Sequence, residues 1–198
     1  MPRFVIRRSV ADAQILRKSN RTKRPPTKTA AVEEKRFRAT LTRSWQAAWK
    51  VAQYIHSQGN VTVQVAPLII RPSRSQRTGY GDAADVLYSY DSAKWLRCEV
   101  KWRQPEFTCA DDYPYPTIFI DRVAKIEEAP PDIYFNVNKA MTHAAIIGID
   151  TQEQWTGPNT YFDRIKRHPV TVMECPIELV RFVSLSDIEQ IEVSKEAA

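Results

Sequence analysis

Three ionisable residues on two neighbouring apolar segments invite a chemical reading first. The stretch "GDAADVLYSY" (81–90) sets Asp85 at the head of one segment, and "RCEVKW" (97–102) sets Glu99 and Lys101 two apart on the next. If both segments are strands around a turn centred on Ser92, Asp85 lies directly across from Glu99. Paired side chains of that kind have Cβ atoms about 4.5–5.5 Å apart, and residues two apart on a strand share a face. Two carboxylates so close repel, and each raises the other's pKa unless a cation intervenes. A hard divalent cation such as Mg²⁺ takes oxygen ligands and keeps several waters, and a lysine beside it can orient or polarise a bound water. The bland alternative is a solvated strand face, with Lys101 bridging both acids for at most about 1 kcal/mol. The opposite face, Val86, Tyr88 and Tyr90 with Leu96, Cys98, Val100 and Trp102, reads as core.

The elements that must position these residues are legible from periodicity. Phe37, Leu41, Trp45, Ala48, Trp49, Ala52 and Ile55 recur at spacings of three and four, which predicts a helix over 30–58 with Gly59 as its stop. Glu33 and Glu34 fall in its expected first turn, where the helix dipole favours acids. Strands are expected at 61–70, 84–90 and 94–102, with a basic loop holding Arg71, Arg74 and Arg77 before the second. Residues 117–129 read as helix, although "TIFI" alone also suits a strand. Two strands at 132–138 and 143–149 join across Lys139–Thr142, and "VTVMEC" and "LVRFVSL" add two more with Pro176 between them. The order is that of a mixed α/β domain, a central sheet with helices packed against it.

Charge is unevenly placed. Residues 1–28 hold nine Lys or Arg against one acid, while the remainder carries 20 basic and 22 acidic residues. Such an arm suits phosphate neutralisation and counterion release; a solubilising tail is the other reading. Pro25-Pro26 in "RKSNRTKRPPTKT" marks a linker, so 1–29 reads as a basic arm without fixed structure and 30–198 as the folded domain. Cys98, Cys109 and Cys175 form no CxxC pair, and with three histidines no zinc-site spacing results. No apolar run approaches the roughly 18–20 residues of a membrane span. The basic start lacks a secretory apolar core, so the expectation is an intracellular protein, a transit peptide being the other reading of that start.

An acid opening one strand and E-V-K in the next, after a long helix and a strand, resembles the PD-(D/E)XK nuclease superfamily, the restriction-endonuclease-like or Holliday-junction-resolvase-like fold. The matching residues are Asp85, with Asp82 as its rival, Glu99 and Lys101. The likeness covers about residues 31–149 as element order and about 20 residues as motif. No proline precedes either aspartate, which leaves the first acid open between them. The resemblance implies an αβββαβ core and a DNA endonuclease dependent on Mg²⁺, with Mn²⁺ as substitute. It further implies that Asp85, Glu99 and the carbonyl of Val100 hold metal, with Asp82 as alternative ligand and Glu33 or Glu34 of the first helix as an additional one. Lys101 would position the nucleophile, and the products would be 5′-phosphate and 3′-hydroxyl ends. Members serve in restriction, junction resolution, repair and recombination, often as homodimers, and need no small-molecule cofactor. Expected DNA contacts are Arg71, Arg74, Arg77, Arg97, Trp102 and Arg103, with Arg21, Lys23 and Arg24 of the arm. Tyr80, Tyr113 and Tyr115 are candidates for base stacking or for loop packing. The rival expectation is a non-catalytic nucleic-acid-binding or structural protein with a degenerate nuclease fold, whose hairpin acids form only surface salt bridges.

Overall fold

The computed structural model describes residues 28–67, 84–163 and 168–186. Arg21, Lys23, Arg24, Arg71, Arg74, Arg77, Tyr80 and Asp82 lie outside those residues.

Helix α1 (Lys28–Ser57) forms where the three-and-four spacing placed it. It stops at a left-handed glycine, Gly59 at φ +87°, whose N–H closes the last turn on the carbonyl of His56 at 3.2 Å. The helix begins two residues earlier than expected and has no acid in its first turn. Glu33 and Glu34 therefore sit past the turn where the dipole acts, and their side chains are outside the described set. Ala47, Ala48, Val51, Ala52 and Ile55 are the buried stripe. The small alanines let the helix approach the sheet closely, while Phe37, Leu41 and Trp45 are only half-buried.

The main sheet has the order β1-β2-β3-β5-β6-β9. Strands β1 (Thr62–Val65), β2 (Val86–Ser89) and β3 (Leu96–Trp102) run antiparallel as a meander. Strand β5 (Ile133–Val137) lies parallel to β3. A parallel neighbour cannot be reached by a tight turn, and the crossover is made by β4 (Thr117–Arg122) followed directly by α2 (Val123–Glu128). The segment expected as one helix is thus a strand and then a short helix. Strands β6 (His143–Gly148) and β9 (Arg181–Ser184) complete the sheet antiparallel. The architecture is mixed α/β and rich in strand.

Strand β4 belongs to a second sheet, β4-β8-β7, with β7 (Thr156–Asp163) and β8 (His168–Pro176). Strand β7 was not expected, because "TGPNTYFD" opens on a glycine, a proline and an asparagine that depress strand propensity. Gly157, its second residue, has φ +123°. A Cβ there would stand 3.0 Å from the carbonyl of Val172, so only glycine suits the approach to β8. "VTVMEC" and "LVRFVSL", alike as sequence, end in different sheets, separated by a single 3-10 turn at Ile177–Leu179 after Pro176.

Two cores follow. On one face of the main sheet, α1 packs on Val63, Val86, Cys98, Val100 and Val137. On the other, Tyr134, Ala145 and Ile147 meet Ile118, Ile120, Ile126, Trp155 and Cys175. The expected helical layer on that second face is mostly the small sheet, with α2 as its one α-helix among the described residues.

The loop between β3 and β4 is tied by Asp112, whose carboxylate accepts N–H bonds from Thr108 at 2.8 Å and Cys109 at 3.0 Å. Bonds from the Cys109 N–H and the Thr108 hydroxyl and N–H hold its carboxyl below the ordinary value of 3.8. A depressed carboxyl contributes stability that is present above its unfolded pKa and is lost as pH falls through the folded one. The urea midpoint of Asp112→Ala is therefore expected to lie below that of the wild type at pH 6 and to converge with it in acid. A gap that stays constant with pH would refute this tie.

Candidate active site

The hairpin register is the one that a turn at Ser92 sets. Val86 pairs with Cys98, Leu87 with Arg97 and Tyr88 with Leu96, and Ser92 itself takes the left-handed conformation, φ +64°. Asp91 fixes the turn by accepting the N–H groups of Ala93 and Lys94 at 2.9 and 3.0 Å. Val86, Tyr88, Cys98 and Val100 are buried against α1 as expected, whereas Tyr90 is exposed. Glu99 and Lys101 consequently emerge together on the opposite face, across from Tyr134 and Asn136 of β5.

What meets them there is Asp121, the penultimate residue of β4. Lys101 Nζ lies 2.7 Å from Asp121 Oδ2 and 3.2 Å from Glu99 Oε1. Lys125, on α2, closes the group at 2.5 Å from Glu99 Oε1 and 3.6 Å from Asp121 Oδ2. Two carboxylates thus share two ammonium groups. Burial pushes the Asp121 carboxyl up, but Lys101, Lys125 and the Arg122 N–H outweigh it and hold it below its ordinary range. Burial likewise pulls Lys125 down, and Glu99, Asp121 and Asp85 outweigh that, so it holds its proton more tightly than a free lysine. At neutral pH Asp121 is anionic and Lys125 cationic.

Asp121 reaches this position through a β-bulge. Phe119 pairs with Glu174 and Arg122 with Val172, so two β4 residues stand against one of β8. The bulge breaks the alternation, and the successive side chains Ile120 and Asp121 both turn inward. Period-two reasoning had no means to find Asp121, and Lys125 was read only as part of an amphipathic helix.

Asp85 stands at the edge of this group. Its Oδ2 accepts the Val100 N–H at 2.7 Å, and its charge is among those that raise Lys125. Val100 turns its own side chain into the α1 core. Of the expected DNA contacts, Arg97 is half-buried and donates to the Pro130 carbonyl at 3.3 Å. Trp102 donates to the Lys139 carbonyl at 3.1 Å, with the Arg43 guanidinium 4.8 Å over its ring. Arg103 turns inward: Nε donates to Asn136 Oδ1 at 2.6 Å and Nη2 donates to the Phe119 carbonyl. Burial lowers its pKa, opposed by Tyr113, Asp121 and Glu99. Trp102 and Arg103 are both half-buried, and Arg103 joins β3, β5 and β4 while also lining the cleft beside Lys101. The Asn136 Nδ2, fully buried, has no partner among the described residues.

Lys101 and Asp121 line a cleft of about 870 Å³ whose other walls come mainly from β4, β7 and β8. Among the described residues, no group of three or more His, Cys, Asp or Glu forms a ready metal cage. The donor set is nonetheless that of a hard cation, because Glu99 and Asp121 offer only oxygen, and Mg²⁺ is commonly held by one or two carboxylates with waters. No helix among the described residues is long and apolar enough to cross a membrane. No protein-family model, curated protein or solved structure matches this chain.

Proposed function

We propose that the protein is a metal-dependent endonuclease acting on DNA. The observation that carries this reading is the convergence of Glu99, Lys101, Asp121 and Lys125, of which Lys101 and Asp121 line an open cleft. The element order supports it: a helix, an antiparallel three-stranded meander, a crossover helix and a strand parallel to the third follow the αβββαβ order of a restriction-endonuclease-like core, with β4 added before the crossover helix. Glu99 and Asp121, with Asp85 and the Val100 carbonyl beside them, are the groups to hold Mg²⁺ or Mn²⁺. Bound there, the metal supplies Lewis-acid polarisation of a phosphate and a nucleophilic hydroxide at neutral pH. Lys101 orients the attacking water and steadies charge developing on the phosphoryl oxygens. Lys125 pairs with Glu99 and Asp121 in the free protein and helps hold the buried Asp121 carboxyl ionised. The products expected are 5′-phosphate and 3′-hydroxyl ends.

The test is incubation of the full chain with supercoiled, linear and branched DNA, with Mg²⁺, Mn²⁺ or EDTA. Cleavage that requires metal is expected. DNA binding without metal-dependent cleavage of any substrate would replace this reading by the non-catalytic one.

A further inference from the structure

The cleft that Lys101 lines also carries aromatic rings, and hydrolysis does not require them. Tyr115, Tyr161 and Phe162 line it and are 58%, 45% and 63% exposed, the largest apolar exposures among the described residues besides Val32 and Tyr90. Phe119 adds a fourth ring, 5.6 Å from that of Tyr161. One of these rings is held in place by a buried acid that the candidate centre does not use. Glu174, 9% exposed, accepts the Tyr161 hydroxyl at 2.6 Å and is itself fixed by Asn159 Nδ2 at 3.1 Å and Thr117 Oγ1 at 3.2 Å. An exposed ring anchored in this way loses little freedom when something stacks on it. Arg122, an exposed residue, lines the same cleft and makes no ion pair among the described residues.

Rings opposite a cation fit a ligand with flat apolar faces strung on an anionic backbone. Every nucleobase has such a face, and base–aromatic stacking tolerates any sequence. In a duplex those faces are already covered by neighbouring bases and must be exposed before a protein can use them. The cleft volume lies within the roughly 300–1,000 Å³ of sites that enclose a compact ligand, room for a few unstacked nucleotides and not for a double helix.

We infer that this cleft binds unpaired DNA, stacking bases on Tyr161, Phe162 and Tyr115 so that the backbone passes Arg122 and reaches Lys101. The inference deepens the nuclease reading and rests on it: the substrate is a single strand, or a single-stranded branch or flap.

Binding is measured in EDTA, where cleavage plays no part, by anisotropy of a fluorescein-labelled oligothymidine and of a blunt duplex of equal length. The single strand is expected to bind at least about tenfold more tightly at equal salt, and Tyr115→Ser/Phe162→Ser to lose at least about tenfold of that affinity. Both rings are largely exposed, so the thermal midpoint of the variant should match the wild type. In the unaltered protein, 2-aminopurine within the oligonucleotide should change its fluorescence on binding. Equal or tighter duplex binding overturns the inference, as does full single-strand affinity in the variant or an unchanged 2-aminopurine signal. Metal- and Glu99-dependent cutting of blunt duplex, unaffected by the ring substitutions, would leave the nuclease and remove the stacking cleft. Ring-dependent single-strand binding without cleavage by any metal would do the reverse.

Discussion

Lys101→Met is expected to slow metal-dependent DNA cleavage by about a hundred- to a thousandfold while leaving the protein folded. That range is typical when one group stabilising developing transition-state charge is removed. Methionine keeps most of the apolar stem that packs beside β5 and removes only the ammonium group. Asp121 keeps a counter-ion, because Lys125 stands 3.6 Å away, so the loss does not strand a buried charge. Glu99→Gln should be at least as damaging, since it removes a ligand charge and leaves both lysines a neutral amide in place of their carboxylate. Single-turnover cleavage rates, with DNA binding measured in EDTA alongside, check both variants. Rates within about threefold of the wild type would mean that the cluster is only a set of salt bridges.

Arg103→Ala is expected to be the most destabilising single change among the residues considered, by about 2–4 kcal/mol. Its guanidinium bonds both β5, through Asn136 Oδ1, and β4, through the Phe119 carbonyl. Removing it takes the donor from the buried Asn136 Oδ1 and from the carbonyl of half-buried Phe119, beside an Asn136 amide that already lacks a partner for Nδ2 among the described residues. It also removes positive charge near Asp121 and Glu99. Each unsatisfied buried group costs about 1–3 kcal/mol. Arg103→Lys should recover part of the loss, because it restores the charge without the planar fork. Urea unfolding of the three proteins gives the order; an Arg103→Ala midpoint equal to that of the wild type would contradict the bridging role.

The same residue shows why sequence reading stopped where it did. Arg103 follows "EVKW" and was expected at the DNA backbone, since a basic residue beside a candidate centre reads as a phosphate contact. Its direction depends on Asn136 and Phe119, which lie 33 and 16 residues away, and no local pattern encodes that. The hairpin was legible for the converse reason. Its register follows from the turn at Ser92 and from strict alternation, so Glu99 and Lys101 could be set on one face before any coordinates. Asp121 was hidden by a bulge, which is where alternation fails by construction. The second sheet was hidden because β7 begins with residues that oppose a strand, and its place is decided by pairing with β8. The long helix and its glycine stop needed only local information, and both are where they were expected.

The central claim is that Glu99 and Asp121 hold the catalytic metal, and iron-directed cleavage of the protein itself tests it most directly. Fe²⁺ takes the place of Mg²⁺ and, with ascorbate and peroxide, generates hydroxyl radicals that cut the polypeptide beside the bound ion. The expected cuts fall in β3 near Glu99 and in β4 near Asp121, diminish with excess Mg²⁺ and vanish in Glu99→Gln. Cuts elsewhere, or the same cuts in Glu99→Gln, would contradict it.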